Sequence, residues 1–327
     1  MELAAIATYF ISMRIAYLIK RPLNARDCER YGINYLLEKG HEVLVFNLSG
    51  LIHRELSSTT KYNSNSKRLE LFEISSWAEF ENHEDTLSKC DIIFFLIQSY
   101  GLAGNTLKPL RLIKQISTPY VIMGQNSVPF AEPEKKDRNA VTVFFDRLKN
   151  INFKNSIIAR LPPELVGASY ADYAVATCGE SLAGNTLLGP KTTIIPCHTH
   201  DYGLYLQQKE DVAESKNQIL FIDQYYPYHD DLIVRGWEVS AENYFRLINA
   251  AFDRIEQELN MPVVISVHPR ADYSDKPWAF PGRELRTGNT IGQIAQSKLV
   301  LGHSSTVLGI AVAFNKPIII LASKELY

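Results

Sequence analysis

The stretch MRIAYLIKRPLNARDCERYGINYLLEKGHEVLVFNL, residues 13–48, decides the fold. MRIAYLI (13–19) is an apolar run of strand length, RDCERYGINYLLEKG (26–40) reads as a helix closed by Gly40, and HEVLVFNL (41–48) is a second apolar run. Two strands joined through a helix form a βαβ unit, and such units build parallel sheets covered by helices.

The same alternation continues along the chain. DIIFFLIQ (91–98), a helix over 107–116 and PYVIMG (119–124) repeat it, and ADYAVATCG (171–179) and TTIIPCH (192–198) add two strands. LQQKEDVAESKNQ (206–218) is charged and lacks apolar periodicity, so it reads as a linker. Beyond it come the strand ILFID (219–223), a helix over 241–259 with Tyr244, Phe245, Ile248, Ala251, Phe252, Ile255 and Leu259 on one face, and the strand PVVISVH (262–268). A short helix near 290–297, the strand KLVLG (298–302), a helix from about Ser305 and the strand PIIIL (317–321) follow.

The expected architecture is therefore α/β with two Rossmann-like domains, 13–206 and 217–327. A doubly wound domain normally closes with a helix, whereas this chain stops at LASKELY just after a strand. The C-terminal domain is accordingly expected to be truncated. The hexapeptide LAGNTL occurs at 102–107 and 182–187, and the expectation is a shared helix-start device, with Gly for the turn and Asn or Thr for the cap.

With 327 residues, 46% hydrophobic and 21% charged, the chain has the profile of a globular protein too long for one comfortable core. A net charge of −2 supplies no field for binding nucleic acid, so any anion site must be local. Cys28, Cys90, Cys178 and Cys197 are scattered and read as small buried residues in a reducing compartment, with no zinc-ligand spacing among them. The N-terminal MELAAIATYFISMRIAYLI is interrupted by Glu2 and Arg14 and reads as a short leader before a strand, so contact with a membrane is expected to be peripheral.

Two short motifs carry chemistry. VHPR ends the strand at 263–267 with His268, Pro269 and Arg270, and GHSST follows another strand with His303, Ser304, Ser305 and Thr306. In open α/β sheets ligands bind beyond the carboxyl ends of the strands, so both motifs are expected on one edge. Hydroxyls and unpaired amides at a helix start suit a phosphate. His268 suits a phosphoryl oxygen, since an imidazole titrates near neutrality and can protonate a departing phosphate. Pro269 locks the turn, and Arg270 either adds a charge-assisted contact or is solvated.

VISVHPR … LVLGHSSTVLGIAVAFNKPII, over 262–317, resembles the HP and SS motifs of bacterial sialyltransferases and of the related Kdo and capsule-polysaccharide glycosyltransferases. The resemblance implies the GT-B fold, two Rossmann-like domains facing across a cleft, and a metal-independent inverting transfer from a CMP-activated sugar. Under it His268 contacts the phosphate of the leaving CMP, and Ser304 and Ser305 bind phosphate or the sugar carboxylate. It also implies a glycan or lipid-linked acceptor, no cofactor beyond the donor, and a cytoplasmic enzyme peripheral to the inner membrane. The donor sugar would be Kdo or a sialic-acid-like nonulosonate.

The acidic motif that supplies the family's general base has no clean copy here, and Glu180 in TCGES is a weak substitute. Two stretches compete for that role. CHTHDYGLYL places His198, His200 and Asp201 after the last strand of the first domain. DQYYPYHDD places Gln224, His229, Asp230 and Asp231 after the first strand of the second, and is the favoured one. In the first domain Arg21, Asn24, Gln125 and Asn126 follow strand ends, a position from which an acceptor can be met, with a solvated face the favoured reading of Arg21. Rival readings are a CDP-activated polyol-phosphate transferase, a UDP-sugar epimerase and a non-catalytic scaffold of polysaccharide assembly.

Overall fold

The computed structural model describes residues 12–52, 66–97, 102, 104, 106–124, 161–177, 179–210, 214–229 and 239–322. Among these, two separate parallel sheets form, one in each of two compact units, and the chain passes from the first unit to the second between Cys197 and His198. No helix of the described residues is long and apolar enough to cross a membrane.

The first sheet holds β1 (Arg14–Ile19), β2 (Glu42–Asn47), β3 (Leu69–Glu73), β4 (Ile92–Phe95), β5 (Tyr120–Met123), β6 (Tyr173–Ala176) and β7 (Thr193–Pro196). Their spatial order is β3-β2-β1-β4-β5-β6-β7, all parallel. That is a doubly wound order with its reversal between β1 and β4. One face buries Ala16, Leu18, Leu44, Phe46 and Phe95, and the other buries Ile15, Tyr17, Val43 and Val45. Both faces of the central strands are thus apolar, which is why they read as unbroken apolar runs.

The second sheet holds β8 (Ile219–Ile222), β9 (Val263–Ser266), β10 (Leu285–Arg286), β11 (Leu299–Gly302) and β12 (Ile318–Ile320), in the order β10-β9-β8-β11-β12. It repeats the doubly wound pattern, with its switch point between β8 and β11. The helix Ala241–Leu259 starts at Ser240, whose hydroxyl accepts the Asn243 amide, and buries Tyr244, Phe245, Ile248 and Phe252. Leu259 stays exposed in its last turn.

Several expectations change. The helix foreseen over 26–40 is two short helices, Ala25–Arg30 and Ile33–Glu38, because Gly32 takes a left-handed φ of 70° between them. The linker foreseen at 206–218 begins inside the helix His200–Gln208, which packs on the second unit through Leu204 and Tyr205, the latter edge-on to Phe314. The helix thus belongs to the second unit, and the change of unit at Cys197–His198 comes before the 206–217 stretch where it was expected. Cys28 and Cys90 are buried, but Cys197 is exposed, and Cys178 lies outside the described residues, as does the leader 1–11.

The two LAGNTL copies differ in use. Thr106 in the first opens the helix Leu107–Ile116, whereas the second forms turns in which the Asn185 carboxamide accepts the Leu187 amide. The copies meet: the Leu102 amide donates to the Thr186 hydroxyl at 3.0 Å, and Leu102, Leu182 and Leu187 share one core.

Candidate functional site at the switch point of the second sheet

The site is built from the ends of β9, β8 and β11. In register, Ser266 faces Ile222 and Leu301 faces Phe221, so the three strands finish level. Two residues past each end stand His268, Gln224 and Ser304. Strands lie about 4.8 Å apart, so His268 and Ser304 flank β8 at a backbone separation of about 10 Å. The edge that the two motifs were expected to share is therefore a shared edge.

What ties them together is the pair Asp223–Gln224. The Gln224 carboxamide bonds the backbone of Ser304 on both sides, donating from Nε2 to its carbonyl at 2.6 Å and accepting its amide on Oε1 at 2.8 Å. Its side chain is thus committed to the loop's backbone; it shapes the serine loop instead of offering a free carboxamide. Asp223, only 3% exposed, was not singled out in the sequence. Its Oδ1 accepts the Tyr225 amide at 2.8 Å, and its Oδ2 accepts the His268 amide at 3.2 Å and the Tyr273 hydroxyl at 3.0 Å. Burial pushes the carboxyl above the ordinary carboxylate range, against the pull of the donors around it. The only sequence signal for it is an acid directly after an apolar strand.

His268 is half-buried, and its Nδ1 accepts the Arg270 amide at 3.2 Å. In the neutral ring that bond assigns the proton to Nε2. Pro269 and Arg270 are exposed.

On the other flank, Gly302 closes β11, and a Cβ there would meet Leu308 at 3.1 Å. Glycine lets the buried Leu308 lie over the strand end. Coiling starts at Ser305 with tight bonds, Leu308 to Ser305 and Gly309 to Thr306, and the α-helix proper is Leu308–Ala313. Ser304, Ser305 and Thr306 therefore form a half-buried loop ahead of the helix, not its first turn. Among the described residues no acceptor takes the backbone amides of Ser305 or Thr306.

His303 faces inward at 2% exposure. Its Nδ1 lies 2.6 Å from the Leu321 carbonyl and its Nε2 3.0 Å from the Tyr244 hydroxyl, so Nδ1 donates to the carbonyl and the hydroxyl donates to Nε2. Burial holds this imidazole's pKa below its ordinary value. Both ring nitrogens are spent inside the protein, which makes His303 an anchor for the loop rather than a ligand contact.

The other candidates are dispersed. Asp201 is 7% exposed in the first turn of the helix His200–Gln208, while His198 is exposed against Tyr202. Asn24 caps the helix Ala25–Arg30, its Oδ1 accepting the Asp27 amide and its Nδ2 donating to the Asp27 carboxylate. Arg21 follows β1 at the first sheet's switch point. Asp230, Asp231, Gln125, Asn126 and the side chain of Glu180 lie outside the described residues.

No family model matches the sequence, and no curated protein does. Among solved structures, the spinosyn forosaminyltransferase SpnP aligns over 96% of this chain and 80% of its own at 11% identity and a TM-score of 0.48. The wall teichoic acid polymerase TagF aligns over 95% and 70% at 11% identity and 0.45. The UDP-GlcNAc 2-epimerase from Neisseria meningitidis aligns over 94% and 82% at 11% identity and 0.45.

Proposed function

We infer that the protein is an inverting sugar transferase of the GT-B type, drawing on a CMP-activated donor and delivering to a surface glycan or glycolipid. The observation that carries the reading is the level ending of β9, β8 and β11, which sets His268 and the Ser304–Thr306 loop on the two flanks of one switch point. The resemblance of both motifs to those of sialyl- and Kdo transferases supports the choice of donor.

The chemistry is a single displacement. The acceptor hydroxyl attacks the anomeric carbon and loses its proton to a carboxylate, with Asp230 the first candidate. The bond from that carbon to the phosphate oxygen breaks, and the electron pair leaves on CMP. His268, with Nε2–H as its donor, and the amides of Ser305 and Thr306 receive the charge that develops on phosphate. Gln224 and Asp223 contribute by holding these groups where the charge appears.

The test is product formation from CMP-, CDP-, UDP- and GDP-linked donors with the wild type and His268→Ala. The expectation is release of CMP, with turnover lowered about 10²- to 10⁴-fold in the variant. Unchanged turnover in His268→Ala would exclude the leaving-group role, and a phosphodiester product from a CDP-linked donor would replace the glycosidic reading.

A further inference from the structure

The loop after β8 carries a second imidazole into the same site. His229, half-buried, follows the turn Tyr226–Tyr228, and its ring centroid lies 5.5 Å from that of His268 at an interplanar angle of 66°. The two rings arrive from different elements, His268 from the end of β9 and His229 from the loop beyond β8. The second loop is itself braced: the Asp223 carboxylate accepts the amide of Tyr225, which sits in the left-handed region at φ 53°, and Tyr225 packs on Tyr228 and Tyr273. The same carboxylate accepts the His268 amide, so one buried side chain positions both imidazole-bearing loops.

Two imidazoles in contact are a poor pair for each other when both carry a proton, because like charges at this separation repel. An anion beside them reverses that balance, since it favours the charged form of each ring and accepts an N–H from each. A phosphate supplies enough oxygens to take both donors.

We propose that His229 is a second binding histidine of this site and that, with His268, it clamps the phosphate of the nucleotide. The proposal rests on the nucleotide reading above. It makes His229 a residue that touches the ligand, in contrast to Asp223 and Gln224, which act through their neighbours.

The experiment is calorimetric titration of CMP into the wild type, His229→Ala, His229→Phe and His268→Ala, with thermal unfolding of each. Phenylalanine keeps the ring contact with His268 and removes both ring nitrogens. The expected result is a loss of roughly 10- to 100-fold in affinity in His229→Ala and in His229→Phe alike, with unfolding temperatures near the wild type. Wild-type affinity in His229→Phe would reduce His229 to packing against His268 and overturn the proposal. Unaltered affinity in both variants would overturn it too. Absence of CMP binding by the wild type would defeat the nucleotide reading and this proposal with it, whereas wild-type binding lost only in His268→Ala would leave the reading standing and remove His229.

Discussion

Gln224 shows how little a residue's type says about its task. A carboxamide at a strand end suggests a ligand contact, yet both of its polar atoms hold the backbone N–H and C=O of Ser304 across 80 residues of sequence. In Gln224→Glu the side chain can no longer donate to the Ser304 carbonyl and faces it with charge. Stability is expected to fall by about 1 kcal/mol, measured by urea unfolding, because a half-buried acceptor loses its donor. CMP affinity is expected to fall as well, since the loop loses its clamp.

His303 yields a pH prediction of definite sign. Its folded pKa is lowered by burial, so at acid pH the unfolded chain binds a proton that the folded chain refuses. Its contribution is fully present above the unfolded value of about 6.5 and is lost as pH falls below it. Between pH 7.5 and 5 the unfolding free energy of the wild type is therefore expected to fall relative to that of His303→Gln, a difference in which the opposite-signed contribution of Asp223 cancels.

At the level of elements, the helix Ala241–Leu259 is stapled to the segment before β10 by Arg283. This guanidinium, its side chain 7% exposed, pairs with Asp253 and Glu256, donates to the side-chain Oδ1 of Asn249 and lies 5.2 Å from the centre of the Phe252 ring. Removing it leaves two carboxylates facing each other over an apolar ring. Arg283→Ala is expected to cost about 1–3 kcal/mol in urea unfolding, because the guanidinium is buried while Asp253 is 63% and Glu256 26% exposed to screening solvent. A loss under 1 kcal/mol would show that the cluster behaves as a solvated one.

Elements also differ in how legible they are. The strands buried on both faces, β1, β2, β8 and β11, stand out as apolar runs, and the helix Ala241–Leu259 is visible from end to end in its periodicity. By contrast β3 (LELFE) is a half-exposed edge strand with charged residues, and β10 is only two residues long, so neither carries an apolar signature. β7 is exposed along its length, with Ile194 at 49% and Ile195 at 42%, and is recognisable only by its β-branched run.

Across the molecule, the proposed site lies on one sheet edge of the second unit, so ligand binding should register there. At about 100 times its dissociation constant a nucleotide adds about 2.7 kcal/mol to the unfolding free energy of the unit that binds it. With CMP, hydrogen exchange is expected to slow at 223–229, 267–270 and 303–307, the ends of β8, β9 and β11, and to stay unchanged along β1 and β2. Slowing confined to the first sheet would move the site away from His268 altogether.

The amino-acid sequence by itself determined the α/β class, the repeated strand–helix alternation and the two polar motifs, because burial of parallel strands and the residue types that bind phosphate are both local in the chain. It could not determine which of those polar groups face a ligand. His303 turned inward, Gln224 turned onto a backbone, and Asp223 became the common support of two loops, each through a bond to a residue distant in sequence. Hydrogen-bond partners of that kind exist only after the sheet has brought strand ends level, and so the tertiary structure alone decided them.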